Sequence, residues 1–409
     1  MAQKSLQGLR ASVGESGVHI RCYLGPDALA ASAEGVPLVF RIYRQEQPDF
    51  IFNRDYEEFF DGLDPAWADV IFEGPGELSN RRKWDFHDRT ASVGGTYAYW
   101  IALIGMERPP SGPVVAKVRD RRVWWPYATV EERLTILSEG YPDLVRLEQV
   151  GRTTGNRSLL GIHIGHRERS IGLVGAIHAG ESGPELIVPV LERLLESDGD
   201  LLQRVGISAL LSVNVDERER LVEGHAPYLR TNSNGVDLNR NFPADWERVD
   251  DAYGFISSDR DAMTYRGPFA ASESETQAVM AWMERSRSQA VFSFHCLASI
   301  CSPVYLLSKA AEGDAAFQAA CHALTSAYSG GYYGEGREPV LKYASSPGSL
   351  PHWCYSRHSI PCFDLEWDRD PATKGCLHDL TTPAMVAETA DRHYTAIRAV
   401  LRILAAGQP

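Results

Sequence analysis

Beyond residue 125, short apolar runs typical of buried strands alternate with longer segments whose apolar residues recur at helical spacing. The strand-like runs are LVRLEQVG, SLLGIHIG, SIGLVGAI, VGISALLSVNV, QAVFSFH and IPCFDLEW. The helix-like segments are TVEERLTILSEGYP, SGPELIVPVLERLLES, SESETQAVMAWMERS and TPAMVAETADRHYTAIRAVLRILAA. This alternation predicts an α/β fold, with a mixed and mostly parallel sheet that is covered by helices.

The first 120 residues have a different pattern. Their β-branched and aromatic runs, PLVFRIYR, DVIFEG, TYAYWIALIG and PVVAKVRD, are separated by clusters of Pro, Gly and Asp. Such runs predict a small all-β sandwich. The stretch DRTASVGGTYAYWIAL…PSGPVVAKVRD also resembles the last strands of a fibronectin type III domain. We therefore predict an N-terminal tail over residues 1–16, a β-sandwich over 17–120 and a larger α/β domain over 121–409.

Composition and charge narrow the functional classes. The chain has 409 residues and a formal net charge of −13, without a basic run. Nucleic acid and anionic membranes are poor partners for such a chain. The start lacks the apolar stretch of a signal peptide, and no apolar run is long enough to span a bilayer. Seven cysteines without a CxxC pair favour reduced thiols. Together these features predict a cytoplasmic protein.

Polar side chains with metal-binding chemistry follow the predicted strands. His178 and Glu181 come directly after SIGLVGAI, His295 ends QAVFSFH, and Glu366 ends IPCFDLE. The segment RTNSNGVDLNRNF, which follows ALLSVNV, adds Arg230, Asn239 and Arg240. In open α/β sheets the carboxyl ends of the strands form the binding edge, so we expect these side chains to lie close together.

Two histidines and a glutamate form the ligand set of a catalytic zinc site, in which a fourth position is open to water. An H-x-x-E pair such as His178 and Glu181 is a weak signal when it stands alone. His295 at a later strand end strengthens the interpretation. The planar guanidiniums of Arg230 and Arg240 are suited to holding a carboxylate or an oxyanion. The sequence therefore predicts a metal site beside an anion site.

In this order, HAGE, RTNSNGVDLNRNF, SFH, YASSPGS and FDLEW resemble the zinc carboxypeptidases of the A/B and E/N kinds. The resemblance covers roughly residues 125–405 and implies that 121–409 is a catalytic domain. It also implies one Zn²⁺ per chain, bound by His178, Glu181 and His295. The remaining roles implied by the resemblance are Arg230 for the oxyanion, Asn239 and Arg240 for the terminal carboxylate of the substrate, Tyr343 as a mobile tyrosine above that carboxylate, and Glu366 as the catalytic acid–base.

Asp364 raises a question of specificity. It lies two residues before Glu366 on one strand, so both side chains point to the same face. In the resembling family this position lies near the floor of the pocket for the C-terminal side chain. An acid there would favour a basic C-terminal residue in the substrate. A structurally paired Asp364 is the alternative.

The leading functional prediction is a zinc-dependent metallocarboxypeptidase. It would hydrolyse the C-terminal amide bond of a peptide or peptide-like substrate with a free C-terminal carboxylate. A zinc amidase or deacylase, acting on an N-acyl amino acid or a biosynthetic intermediate, stays open as the first alternative. A non-catalytic zinc- or peptide-binding module is the second.

Overall fold

A computed structural model describes residues 5–47, 63–76, 78–80, 82–106, 109–225, 229–248, 256–295, 304–366 and 382–407. The chain divides into two compact units. The first comprises Met1–Trp124 with Arg220–Tyr228, and the second comprises Trp125–Glu219 with Leu229–Pro409. Within the described ranges, no helix combines the length and the apolar composition that crossing a bilayer requires.

In the residues that the structure describes, the first unit is an all-β sandwich with one short α-helix. Its elements are β1 (Leu6–Gly14), β2 (Gly17–Leu24), α1 (Pro26–Ala33), β3 (Val39–Gln47), β4 (Asp69–Pro75), β5 (Leu78–Ser79), β6 (Lys83–Asp88), β7 (Thr96–Leu103) and β8 (Ser111–Lys117). One antiparallel sheet has the order β1-β2-β6-β5, and the other has the order β4-β3-β7-β8. The predicted sandwich is thus confirmed, whereas its predicted bounds and its likeness to a fibronectin type III domain stay predictions.

Apolar residues from both sheets form the core of this unit. Phe40 of β3 stacks on Trp84 of β6, with 4.1 Å between the ring centroids. Residues 6–14, which fall within the predicted N-terminal tail, form β1, which pairs with β2 and buries Leu6 and Val13. The backbone of Val13 also donates to the carbonyl of Glu223, a residue of the same unit.

The second unit is built on a mixed sheet of eight strands. These are β9 (Val145–Arg152), β10 (Ser158–Gly165), β11 (Ser170–Val174), β12 (Gly206–Leu210), β13 (Val291–His295), β14 (Val304–Ser308), β15 (Leu341–Ser345) and β16 (Cys362–Glu366). Their order is β15-β14-β16-β13-β11-β12-β10-β9. The central strands β16, β13, β11 and β12 run parallel. The predicted α/β fold is therefore confirmed.

Helices lie on both faces of this sheet. They are α2 (Tyr127–Gly140), α3 (Pro184–Ser197), α4 (Gly199–Leu202), α5 (Val215–Val222, which ends in the first unit), α6 (Ser274–Ser286), α7 (Ala315–Tyr333), α8 (Leu350–His358) and α9 (Pro383–Ala405). Apolar side chains of α2, α3, α7 and α9 share one core cluster, and those of α6 and α8 share another. Both faces are thus covered, as expected for a sheet with parallel central strands.

Side chains alternate along β13 and β16, so that core residues lie on one face of the sheet and polar candidate site residues lie on the other. Phe292 and Phe294 of β13 and Phe363 of β16 enter the core cluster of α2, α3, α7 and α9. The intervening residues of both strands point to the opposite face of the sheet. These intervening residues include the polar side chains Ser293, His295, Asp364 and Glu366, all buried.

Candidate active site

The carboxyl ends of β13 and β16 position four of the polar side chains. In this parallel pair, Ser293 lies opposite Asp364 and His295 lies opposite Glu366. Parallel neighbours in register place their side chains side by side on one face. The sequence prediction that His295 and Glu366 meet at a strand-end edge therefore agrees with the geometry.

The other two metal-ligand candidates lie on the loop that joins β11 to α3. We call residues 175–183 the ligand loop. It closes on itself, because the backbone N–H of Ala176 donates to the carbonyl of Ser182 and that of Glu181 donates to the carbonyl of His178. Ala176 has a φ of +44°, an unfavourable conformation for a residue with a Cβ. The tight loop places the side chains of His178 and Glu181 in contact with one another.

Three buried side chains come together as a metal-ligand set. One ligand atom from each of His178, Glu181 and His295 lies within 4.8 Å of the others. Nδ1 of His178 lies 3.0 Å from one carboxylate oxygen of Glu181, and Nδ1 of His295 lies 2.8 Å from the other. Two imidazole nitrogens and a carboxylate oxygen are ligands that zinc prefers. The residues present thus fit a zinc ion.

The outer nitrogens of both rings contact further polar groups. Nε2 of His178 lies 3.1 Å from Asp237, while Nε2 of His295 lies 3.2 Å from Asp364 and 3.0 Å from the hydroxyl of Ser293. Carboxylates behind ligating histidines fix the ring orientation and the tautomer in many metal sites. This arrangement leaves Nδ1 of each ring available for an ion beside Glu181.

The charges around His295 favour a cation. Burial lowers the pKa of this imidazole, but Asp364 and Glu181 raise it more, so the pKa lies well above its usual value. Burial likewise raises the pKa of Glu181, yet His178 and His295 hold it well below its usual value. The surroundings of the ligand set therefore stabilise added positive charge, which a divalent ion would supply.

Glu366 has the properties of an acid–base group. Its side chain is buried, and burial raises the pKa of its carboxyl to about 7. His295 opposes this rise, whereas Glu181 and Asp364 add to it. A carboxyl whose pKa lies near neutrality can both accept and return a proton under physiological conditions.

Asp237 joins the metal-ligand set to the residues that we predicted to bind anions. One of its oxygens accepts from the backbone N–H of Asn239 at 3.0 Å and lies near His178. Its other oxygen accepts from Nε of Arg230 at 2.8 Å. Burial would raise the pKa of Asp237, but Arg230 and His178 keep it well below its usual value. Asp237 is fully buried and charged, so it can orient His178 and Arg230 together.

Asn239 is held by two partners on different elements. Its amide nitrogen donates to Asp364 at 3.0 Å, and its amide oxygen accepts from the backbone N–H of Leu350 at 2.8 Å. Both oxygens of Asp364 thus have close neighbours, His295 and Asn239. These contacts give Asp364 a positioning role in the site.

Arg240 lies on a turn that fits against a glycine. Gly348 has a φ of +70°, and a Cβ built on it would overlap the backbone carbonyl of Arg240. The neighbouring Phe242 donates its N–H to the carbonyl of Gly348 at 2.8 Å. Burial lowers the pKa of Arg240, and Asp237 opposes that effect. Gly348 therefore allows the close approach that places the Arg240 guanidinium.

Two buried glutamates hold the turn before these residues. We call residues 229–241 the anion-binding segment. A carboxylate oxygen of Glu273 accepts from the amides of Asn232 at 2.7 Å and Asn234 at 2.8 Å. Glu275 lies 3.4 Å from the same amide of Asn232 and accepts from the backbone of Thr154 at 2.8 Å. Asn232 and Asn234 thus build the turn through their amide groups.

Tyr343 lies differently from the other candidates. It belongs to the edge strand β15, opposite Leu307 of β14, and packs against the core cluster of α2, α3, α7 and α9. Burial raises the pKa of its hydroxyl to about 12, and Cys321 adds to the rise. Its hydroxyl has no hydrogen-bond partner among the described residues. Its role above the substrate carboxylate stays a prediction.

Sequence reasoning missed the supporting carboxylates Asp237, Glu273 and Glu275. Asp237 carried a signal, because it stands inside GVDLNRN between the predicted anion-binding residues Arg230 and Asn239. Glu273 and Glu275 carried none, since acids in the first turn of a helix also occur for capping. Their partners, more than thirty residues away in the chain, appear only in the fold.

Comparisons with known proteins point to one family. The model of the family described as "Zinc carboxypeptidase" matches residues 130–380. Human carboxypeptidase D is 29% identical over 160 residues, which cover 35% of this chain and 10% of that protein. Murein peptide amidase A of Escherichia coli (strain K12) is 44% identical over 70 residues, covering 16% of this chain and 29% of that protein.

The match to carboxypeptidase D thus spans about one tenth of that protein's length. Among solved structures, the carboxypeptidase A from Helicoverpa armigera is similar in fold, with a TM-score of 0.56 at 14% identity. That likeness covers 90% of this chain and 97% of the other. Because the family match covers more than half of the sequence and includes all three metal-ligand candidates, the chain belongs to the zinc carboxypeptidase family.

Proposed function

We propose that this protein is a zinc metallocarboxypeptidase that hydrolyses the C-terminal amide bond of a peptide or peptide-like substrate. The proposal rests on one observation above all. A buried His178–Glu181–His295 set lies beside Glu366, whose carboxyl has a pKa of about 7. A metal-ligand set next to an acid–base carboxyl is the pairing that metal-assisted hydrolysis needs.

Each residue has a chemical task in this proposal. A zinc ion bound by His178, Glu181 and His295 would act as a Lewis acid on the scissile carbonyl and lower the pKa of water. The carboxylate of Glu366 accepts the proton of the attacking water and then delivers it to the leaving amine. Arg230, which Asp237 fixes through its Nε, stabilises the oxyanion that forms on the carbonyl oxygen.

Recognition of the substrate falls to the anion-binding segment. Arg240 binds the free C-terminal carboxylate, and a planar guanidinium can do so through two parallel hydrogen bonds. Asn239, which Asp364 and Leu350 hold from two sides, forms the adjoining wall of that site. The proposal that Tyr343 closes over the carboxylate is supported only by the family resemblance.

The test is mass spectrometry on zinc-loaded protein mixed with peptides that vary in the C-terminal residue. We expect loss of one C-terminal residue, and no such loss with the Glu366→Gln variant. The same peptides with an amidated C-terminus serve as matched substrates, and we expect them to resist cleavage because Arg240 has no carboxylate to bind. Cleavage of free and amidated peptides at equal rates would contradict this mode of recognition.

A preference for basic C-terminal residues is the finer part of the proposal. Asp364 could attract a cationic side chain, although both of its oxygens already have neighbours in His295 and Asn239. The ratio of cleavage rates for basic and apolar C-termini in Asp364→Asn decides the matter. An unchanged ratio would remove Asp364 from specificity, provided that the variant still binds zinc.

The second candidate function is an amidase, favoured by the 44% identity to murein peptide amidase A over 70 residues. It predicts that linear peptides stay intact while a murein peptide or an N-acyl amino acid is hydrolysed. A protein that binds zinc yet cleaves neither class would support the non-catalytic module. A cytoplasmic location and the absence of nucleic-acid partners stay predictions of the sequence.

A further inference from the structure

A buried arginine stands behind the ligand loop. Arg218 lies on α5, and its side chain is 3% exposed. Nη1 donates to the carbonyls of both Ala179 and Glu181 at 2.8 Å. Nη2 donates to the carboxylate of Glu185 at 2.6 Å, and Glu185 is fully buried. One guanidinium thus connects two loop carbonyls, one of them belonging to a metal-ligand candidate, with the first turn of α3.

The ligand loop needs such support because of its local geometry. It turns from β11 into α3 through Ala176 at a φ of +44°, so its carbonyls lie outside regular helix or strand pairing. Buried carbonyls without partners destabilise a fold. A planar guanidinium with several donors can satisfy two carbonyls and a carboxylate at once, whereas a lysine ammonium lacks this fixed fork.

We propose that Arg218 is a positioning residue that sets the geometry of the metal site by holding the carbonyls of Ala179 and Glu181. This inference rests on the metal site of the proposed function, but it does not require peptidase activity. A buried ion pair contributes little net stability compared with well-packed apolar residues. We infer that the contribution of Arg218 is instead to fix the position of the Glu181 carboxylate relative to His178 and His295.

Glu185 has a separate part in this arrangement. The oxygen that accepts from Arg218 also accepts from the backbone N–H of Trp125 at 3.0 Å. Replacing Glu185 by Gln keeps an oxygen for Trp125 and removes the charge. A double variant can therefore remove the charges of Arg218 and Glu185 together, while the backbone N–H of Trp125 keeps its acceptor. Such a variant distinguishes a role of the ion pair in stability from a role of Arg218 in positioning the loop.

The test measures zinc affinity by competition with a chromophoric chelator, together with thermal stability. Arg218→Met should weaken zinc binding by about 10–100-fold, the usual effect of losing a partner behind a metal ligand. Arg218→Lys should be intermediate. In Arg218→Met with Glu185→Gln, we expect stability to recover in part. No unpaired buried charge remains, but the carbonyls of Ala179 and Glu181 still lack their donor, so zinc binding stays weak.

Arg398→Met is the matched control, since Nε of Arg398 pairs with Asp198 at 2.7 Å in the same unit. It should lower stability and leave zinc affinity unchanged. The visible spectrum of the Co²⁺-loaded protein should shift in the Arg218 variants and not in this control. Wild-type zinc affinity in the double variant would overturn the inference. Wild-type protein that binds zinc but cleaves no peptide would contradict the proposed function and leave the inference standing.

Discussion

The ligand loop and the anion-binding segment supply the same site, yet buried groups of opposite charge support them. The ligand loop carries the Glu181 carboxylate and is held by the guanidinium of Arg218. The anion-binding segment carries cationic side chains, such as Arg230, and is held by the carboxylates of Asp237 and Glu273. Each segment is thus stabilised by charge opposite to that of its functional groups.

This difference shows how the site keeps its buried charged groups in place. A buried charge is tolerated only when it is paired and hydrogen-bonded. The two networks meet at Asp237, which contacts both His178 and Arg230. Asp364 joins them a second time, because it contacts both His295 and Asn239. Away from these two carboxylates, a change in one network should alter metal binding alone, and a change in the other should alter substrate binding alone.

Asp237→Asn should have the largest effect, because it changes both networks together. Loss of the charge behind His178 should weaken zinc binding by about 10–100-fold. Arg230 would also lose its partner, and we expect kcat to fall as a result. The fall should approach the roughly 10²–10³-fold effect of removing an oxyanion donor altogether. The first effect is read by zinc competition, and the second by steady-state kinetics at saturating zinc.

Glu192→Gln is the control for this variant, since Glu192 pairs with Arg133 at the surface, 2.9 Å away. It should change neither quantity. Full activity of Asp237→Asn at saturating zinc would show that Asp237 does not position Arg230.

Gly348→Ala should affect substrate binding more than metal binding. The new Cβ would overlap the carbonyl of Arg240, and alanine at this φ of +70° adds about 1–2 kcal/mol of strain. We expect KM for free-acid peptides to rise about tenfold or more, as expected for a displaced carboxylate clamp. Zinc affinity should stay close to that of wild type, because the overlap falls on Arg240 and the backbone hydrogen bonds of Gly348 are made with Phe242 and Ala244.

Gly336→Ala is the control that distinguishes backbone strain from displacement of Arg240. Gly336 has a φ of +89°, and a Cβ there would meet no atom within 4 Å. Gly336→Ala should carry the cost of the positive φ alone, and so a smaller loss of stability than Gly348→Ala, and it should not raise KM. Equal KM values in both variants would mean that the contact with Arg240 has no part in binding.

The sequence predicted the ligand set because each ligand stands at the end of a recognisable strand or within a short motif. The parallel register of β13 and β16 then brought His295 and Glu366 together as expected. Arg218 could not be predicted, because DERERL has the composition of an exposed helix surface. Its partner Glu185 is 33 residues away, and only the fold shows that both are buried. Tyr343 was placed by motif spacing alone, which carries no information about the direction of its side chain.

Glu273→Gln should weaken the anion-binding segment without disturbing the ligand loop. Its carboxylate accepts from Asn232, Asn234 and the hydroxyl of Ser272. An amide cannot accept from all three, so we expect a loss of about 1–3 kcal/mol in the free energy of unfolding. KM should rise severalfold, and zinc affinity should not change. A fall in zinc affinity without a change in KM would reverse the assignment of the two networks.

Replacement of His393 should have the smallest effect on activity, because His393 lies in the core, outside both networks. Burial lowers the pKa of this imidazole from 6.5 to about 3. Between these values the unfolded chain binds more protons than the folded chain at this position, so stability falls as the pH falls. From pH 7 to pH 5 the loss should be about 2 kcal/mol. Denaturant unfolding across this range should show a shallower pH slope in His393→Gln, in which the hydroxyl of Tyr328 can keep a partner. KM at pH 7 should not change. A slope equal to that of wild type would show that folding does not lower the pKa of His393.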